Sequence, residues 1–209
     1  MNYPEIRFRE SFLLIGAIYA DIEPAYMPPI SPNDERYKLS TETINSKLAA
    51  YEQAWRPYEK KLIKEMCALL GKEFRQNTID IYAAPFRSSF SFPMIIATKY
   101  DPDRAIEVIA HELLHILLYD NVSAGIDYAA KEAEWRQLFN GVDDTVALIH
   151  IPVHAALQAL FDDVLQEPER TIRDKEMCAT YAPYHQAWEY VERVGYKKVI
   201  EMITGSSDR

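Results

Sequence analysis

The sequence is poor in several residue types and patterns that would assign it to a common class. Its only two cysteines, Cys67 and Cys178, stand far apart with no CxxC spacing, so they form neither a disulfide framework nor a cysteine-based zinc or redox motif. Both lie in apolar surroundings, and we expect reduced, buried, structural thiols in a cytoplasmic protein. The six glycines form no Gly-rich loop of the kind that binds phosphate.

Positive charge and long apolar runs are also scarce. The formal net charge is -9, which excludes a general binder of nucleic acid or of an anionic membrane, because phosphates would not be neutralised. The apolar run from Phe12 to Ala20 is too short to span a bilayer. Acidic residues precede this run and no small-residue cleavage pattern follows it, so we expect a core strand and a cytoplasmic location.

The periodicity of apolar residues predicts a chain in which helices dominate. A helical pattern runs along TETINSKLAAYEQAWRPYEKKLIKEMCALLG, where Pro57 is expected to kink or divide the helix and Gly71 to end it. Two segments rich in Ile, Tyr and Phe, NTIDIYAAPF and SFSFPMIIATKY, predict neighbouring strands. Because the strands cluster in the first half, the predicted class is α+β, and the length fits a single domain over residues 1–209.

The motif HELLH lies inside the otherwise apolar stretch IAHELLHILLYDN. Burial of a polar side chain costs free energy unless it finds a partner. His111 and His115 stand at positions i and i+4, so both imidazoles lie on one helix face and can bind one Zn²⁺. Glu112 leans toward the same side but is too far round the helix to be the natural third ligand. The motif therefore predicts a zinc site with Glu112 as general base.

A second pair of histidines has the same spacing. The chain has five histidines, and His150 and His154 in ALIHIPVHAAL again stand at i and i+4 in an apolar stretch. Two such pairs in a histidine-poor chain predict one metal site assembled from two segments. Asp143 and Asp144 are expected to cap this segment, whereas a helix that began at Pro152 would leave His150 in the preceding lead-in.

This combination resembles the zincin metallopeptidases, specifically small single-domain gluzincin-like proteins (minigluzincin-like). The order of strand SFSFPMIIATKY, turn DPD and helix AIEVIAHELLHILL is similar to the layout of that family over roughly residues 72–165. The resemblance implies a zincin-like, mainly helical α+β fold in which a small mixed β-sheet precedes the HExxH helix. It also implies zinc as cofactor and a second helix that supplies the third ligand.

Three residues compete for the place of the third ligand. Glu134 stands at the HExxH-x18-E spacing of gluzincins, but its surroundings, AAKEAEWRQLF, are charged like a solvated helix face. His154 lies in an apolar helix, where a buried polar group needs a partner. We favour His154, with Glu134 and His150 as the alternatives. Four protein ligands would close the site, as in structural zinc sites.

The sequence therefore predicts a cytoplasmic zinc-dependent peptidase that acts on a peptide or protein and binds neither nucleic acid nor a membrane. Zinc held by His111, His115 and His154 would polarise a water molecule, and Glu112 would take its proton and pass it to the leaving amine. The alternative is a non-catalytic zinc-binding module on a zincin-like scaffold, with a closed structural site.

Residues beyond the motif contribute weaker predictions. Tyr181, Tyr184 and His185 in YAPYHQAW are candidate donors to a developing oxyanion. Arg87 and Arg170 are candidate binders of a substrate carboxylate, but we expect both to be solvated at the surface. The strand SFSFPMIIATKY is a candidate for pairing with an extended substrate.

Overall fold

A computed structural model gives the structure of residues 3–10, 35–85, 88–120 and 128–205, and for residues 35–41, 120 and 128–130 it gives the backbone only. Two predictions from the sequence lie outside these residues: the core strand from Phe12 to Ala20 and the surface role of Arg87.

The described residues form four strands, seven α-helices and one π-helix. The strands are β1 (Glu5–Phe8), β2 (Thr78–Ala84), β3 (Phe90–Ser91) and β4 (Met94–Ala97). The helices are α1 (Glu35–Leu70), α2 (Pro102–Asp120), α3 (Tyr128–Leu138), α4 (Thr145–Gln158), α5 (Pro168–Cys178), α6 (Ala182–Val194) and α7 (Tyr196–Thr204), and the π-helix Ala159–Leu165 continues α4. The α+β class is confirmed, as is a small sheet that precedes the HELLH helix.

Backbone contacts divide the chain into two compact units. The sheet unit comprises Pro4–Pro57 and Thr78–Ile109, and the helical unit comprises Met1–Tyr3, Tyr58–Asn77 and Ala110–Arg209. Helices α1 and α2 each contribute residues to both units. The single-domain prediction for residues 1–209 stays a prediction.

The sheet unit is built on a mixed sheet with the strand order β1-β2-β4-β3 in the described residues. Strand β2 lies between β1 and β4 and runs parallel to both, whereas β3 is antiparallel to β4. The neighbouring strands predicted from the two apolar segments are therefore confirmed. All four residues of β4 are buried, which is typical of a strand covered on both faces. The buried hydroxyl of Tyr51 in α1 lies 3.1 Å from the carbonyl oxygen of Ala97 at the end of β4.

Helix α1 continues through Pro57 without interruption. The proline therefore does not divide the helix, and the other predicted outcome, a kink, stays a prediction. Gly71 directly follows the last helical residue with a positive φ of 61°, a conformation that glycine adopts without steric cost. The predicted end of the helix is confirmed.

Helix α4 is the central element of the helical unit. Its start is capped as predicted, because the side chain of Asp144 accepts a hydrogen bond of 2.9 Å from the backbone N–H of Ala147. Nearly every residue from Ala147 to Leu157 is buried, and α4 packs against α6 and α7. A helix that is apolar on all sides is stable when neighbours enclose it. Pro152 lies inside α4, so His150 and His154 both belong to the helix.

Among the described residues, the stretch Thr145–Leu165 is the one helical segment that is long and apolar enough to cross a membrane. Length and composition are the only grounds for this, and 72% of its apolar window is buried inside the protein. A core helix has the same properties. The predicted absence of a membrane role stays a prediction.

The π-helix that continues α4 is tied to the next helix. Asp162, inside the π-helix, accepts a hydrogen bond of 3.1 Å from the side chain of Gln158 and one of 2.7 Å from the hydroxyl of Thr171 in α5. Asp162 therefore connects the end of α4 to the first turn of α5.

Candidate metal centre

Three histidines from two helices converge within the helical unit, and we call them the imidazole triad. Helix α2 contributes His111 and His115, α4 contributes His150, and one ring nitrogen of each lies within 4.8 Å of the others. The Nε2 atoms of His111 and His115 are 3.1 Å apart. Two imidazole nitrogens bound to one tetrahedral zinc at about 2.0–2.1 Å would be about 3.3 Å apart. The spacing of this pair fits a shared cation and also fits a direct N–H···N hydrogen bond between the two rings.

The local sequence explains the different exposure of the three rings. The apolar residues of HELLHILL bury α2, since Leu113, Leu114 and Leu117 have no exposed surface. His115 and His150 are also buried, with 8% and 4% exposed, whereas His111 is half-buried. The triad is thus enclosed on the side of α4 and reached from solvent at His111.

A backbone hydrogen bond sets the tautomer of His150. Its Nδ1 lies 2.6 Å from the carbonyl oxygen of Val146, one turn earlier in α4. Because a carbonyl oxygen only accepts, Nδ1 carries the proton and Nε2 carries the lone pair. A histidine that donates its other ring N–H to a carbonyl is the usual arrangement at metal sites, since this bond orients the ring and makes the ligand nitrogen more basic.

Burial keeps two of the triad's rings neutral at pH 7. Desolvation lowers the pKa of His115 well below 6.5, and the neighbouring rings of His111 and His150 lower it further. Desolvation also lowers the pKa of His150 to about 4, although the hydrogen bond to Val146 opposes this shift. Metal binding requires the neutral form of imidazole, so these residues are in their ligand form.

Glu112, the predicted base, is buried with 7% of its surface exposed. It follows His111 directly in α2 and is therefore rotated by about 100° around the helix from that ligand. The structure thus places a carboxyl group in the same helical turn as two of the three imidazoles.

Neither of the other two candidates for third ligand belongs to the triad. The ring centroid of His154 is 5.9 Å from that of His111, and the donor atoms that group with His154 belong to Asp174 and Cys178. Glu134 is 45% exposed and pairs with Lys131 at 2.5 Å. The structure brings His150 to the HELLH pair and brings neither His154 nor Glu134 into that group.

Of the three predicted oxyanion donors, Tyr184 lies at the triad. Its ring centroid is 4.1 Å from that of His150 and 6.4 Å from that of His111. Tyr181 is 51% exposed and packs edge-on against Tyr184. His185 is exposed, with Nε2 3.5 Å from a carboxylate oxygen of Glu189.

The predicted surface position of Arg170 is wrong. Only 4% of Arg170 is exposed, because α5 turns it inward, where its Nε lies 2.5 Å from the carboxylate of Glu167. Its guanidinium also lies over the ring of Tyr58 at 5.2 Å. The ion pair and the stacked ring compensate the burial of this charge.

A second group of donors lies beside the triad, and we call it the buried trio. It consists of His154 in α4 and Asp174 and Cys178 in α5, with one ligand atom of each within 4.8 Å of the others. These residues are 0%, 2% and 1% exposed. Both cysteines of the chain are free, buried thiols, as predicted, but sequence reasoning missed that Cys178 lies with two other ligand types. Asp174 and Cys178 have the same i, i+4 spacing as the histidine pairs, which is the signal that could have found them.

Comparisons of the chain with family models, with curated proteins and with solved structures each found no match. The zincin resemblance rests on HELLH and the order of the elements around it. The geometry of the triad is therefore the observation from which a function can be inferred.

Proposed function

We propose that the protein is a zinc-dependent peptidase with a zincin-like active site formed by the imidazole triad and Glu112. The observation that supports this best is the convergence of three imidazoles from two helices on one point, with a buried carboxyl group in the same turn of α2. Three protein ligands leave one zinc position open for water or substrate, which is the pattern of catalytic sites. The half-buried His111 gives a route to that position.

The protein's own residues take distinct roles in hydrolysis of a peptide bond. Zinc, when bound by the triad, supplies Lewis-acid activation of water and of the substrate carbonyl. Glu112 accepts the proton of the attacking water and delivers it to the departing amine. Tyr184, half-buried beside His150, is the candidate donor to the carbonyl oxygen as negative charge develops there.

His150 takes the place of His154 as third ligand in this proposal. The donor atom of His150 groups with those of His111 and His115, and the bond from its Nδ1 to Val146 leaves Nε2 for the metal. A closed structural site needs four protein ligands. The grouping of His154 with Asp174 and Cys178 supports an open three-ligand site over that alternative.

The test is the variant Glu112→Gln, with Glu134→Gln as matched control because Glu134 is an exposed glutamate paired with Lys131. Peptide cleavage is followed by mass spectrometry on a mixture of peptides of varied sequence, and zinc content is measured in the same samples. We expect the wild type and Glu134→Gln to cleave. Glu112→Gln should keep its zinc and lose roughly 10²–10⁴-fold in turnover, the usual contribution of general acid–base catalysis.

Two results would count against the peptidase. An equally active Glu112→Gln variant would show that another group moves the proton. A zinc-loaded wild type that cleaves no peptide would instead favour the non-catalytic module.

A further inference from the structure

His154 is a fully buried side chain whose two ring nitrogens have no hydrogen-bond partner among the described residues. Leaving a buried polar atom without a partner costs on the order of 1–3 kcal/mol. A neutral imidazole carries one N–H and one lone pair. A metal ion or a hydrogen-bond donor would satisfy the lone pair of this buried ring.

The donors around His154 differ from those of the triad in charge. Asp174 supplies a carboxylate and Cys178 a thiol that becomes a thiolate when it binds a metal. Together with the neutral imidazole, these ligands carry two negative charges, which a divalent cation would neutralise. None of the three side chains is more than 2% exposed, so a cation bound here would be shielded from water and its charge would be neutralised by its ligands.

We propose that His154, Asp174 and Cys178 form a second metal site that binds a divalent ion of borderline softness, such as zinc, through one nitrogen, one oxygen and one sulfur atom. Mixed imidazole, carboxylate and thiolate ligands are those that Zn²⁺ accepts. Binding replaces the S–H proton of Cys178, which is released to solvent, by a metal–sulfur bond.

Trp188 in α6 holds two of the three donors in place. Its indole stacks on the ring of His154, with centroids 4.5 Å apart and planes inclined by 10°. Its Nε1–H donates a hydrogen bond of 3.1 Å to Oδ2 of Asp174, the same oxygen that lies 3.5 Å from Sγ of Cys178. Partners of this kind orient ligands and typically change metal affinity by about 10–100-fold.

The test uses Co²⁺ as probe, added to metal-free full-length protein under anaerobic, reducing conditions. Thiolate bound to Co²⁺ gives a charge-transfer band in the near ultraviolet, and imidazole ligands give none there, so the band reports this site without interference from the triad. We expect two bound equivalents and the band in the wild type. Cys178→Ser should bind one equivalent without the band, and Cys67→Ser, which changes the other buried cysteine, should behave like the wild type.

Two results would overturn the second site: a wild type that binds Co²⁺ without a thiolate band, or a band that persists in Cys178→Ser. The wild-type titration needs no variant, so it stays decisive if Cys178→Ser fails to fold. The double variant His111→Ala/His115→Ala separates this proposal from the peptidase. It should lose the triad's metal and any peptidase activity but keep the thiolate band, and loss of the band as well would contradict a separate site.

Discussion

The triad and the trio contain the same number of donors, each drawn from two helices, and α4 supplies one donor to each. They differ in charge and in contact with solvent. The triad has three imidazoles and a half-buried edge at His111, whereas the trio includes two acidic donors and is fully buried. A divalent ion would keep its double charge in the triad and be neutralised in the trio. The comparison teaches that donor charge and access distinguish a site suited to Lewis-acid chemistry from one suited to holding helices together.

The largest expected effect is on zinc affinity when the two histidines of α4 are removed one at a time. In a Cys178→Ser background, which disables the trio, His150→Ala should weaken zinc binding by more than the roughly 10–100-fold typical of residues outside the ligand set. His154→Ala in the same background should change it by less. Both are titrated against a zinc-competing chelator near pH 7. If His154→Ala loses zinc and His150→Ala keeps it, His154 is the third ligand, as the sequence alone predicts.

A second test asks whether Tyr184, beside the triad, acts as the oxyanion donor. Tyr184→Phe should lower kcat by about 100-fold or more with little change in KM, because an oxyanion donor acts mainly in the transition state. Tyr181→Phe is the matched control, since that ring is exposed and packs on Tyr184. Equal kcat values for wild type and Tyr184→Phe would remove this role.

Acid should destabilise the metal-free protein through both groups. The pKa of His150 is lowered to about 4 and those of His115 and His154 are also lowered, in each case mainly by burial. The unfolded chain therefore binds more protons below pH 6.5, so the stability is complete above that pH and is lost as the pH falls toward 4. His150 alone should contribute a loss of about 3 kcal/mol by pH 4.

Urea unfolding at a series of pH values with chelator present measures this loss. His150→Gln should flatten the dependence of the free energy of unfolding on pH between pH 6.5 and 4. A pH dependence equally steep in His150→Gln and wild type would contradict the assignment.

Trp188→Phe tests whether the metal affinity of the trio can be lowered without changing that of the triad. Phenylalanine keeps a ring against His154 but removes the N–H bond to Asp174, so Co²⁺ affinity of the trio should fall by about 10–100-fold while the triad keeps its own. Competition with a chelator, followed at the thiolate band, gives the number. If the metal affinity of the triad fell instead, Trp188 would position the ligands of the triad and not those of the trio.

The smallest effect is expected outside both groups. Glu134→Ala removes a pair with Lys131 in which the glutamate side chain is 45% exposed, which should change the free energy of unfolding by about 1 kcal/mol and leave metal content unaltered. Loss of metal in this variant would restore the gluzincin glutamate as a ligand.

Much of the fold could be predicted because local signals agreed with the packing. The alternation of strands and helices, the cap at Asp144 and the end of α1 at Gly71 all derive from short patterns. Strand β1 was not predicted, since four residues of mixed polarity carry little signal. Pro57 does not end the helix, because the packing of a 36-residue helix stabilises it by more than the loss of one backbone hydrogen bond destabilises it.

The site was predictable in part for the same reason. HELLH places its two histidines on one face by spacing alone, but the choice between His150 and His154 depends on how α4 rotates against α2, which only packing decides. Helix α5 is strongly polar, with the sequence PERTIRDKEMC, and it has no apolar stripe from which a helix could be predicted. No element was therefore assigned to Asp174 and Cys178, and their grouping with His154 was not predicted.

The π-helix Ala159–Leu165 has a consequence for how this chain tolerates insertions and deletions. A π-turn holds one residue more than an α-turn for about the same rotation, so deletion of a single residue there would restore α-helical winding and change the direction in which the chain leaves the helix only slightly. Asp174 and Cys178 would then stay near His154. Every member of the triad precedes this segment in the chain. Loss of one residue in the π-helix is therefore expected to preserve both groups of donors, whereas loss of one residue between His154 and the π-helix would turn α5 by about 100° about the axis of α4 and separate the trio.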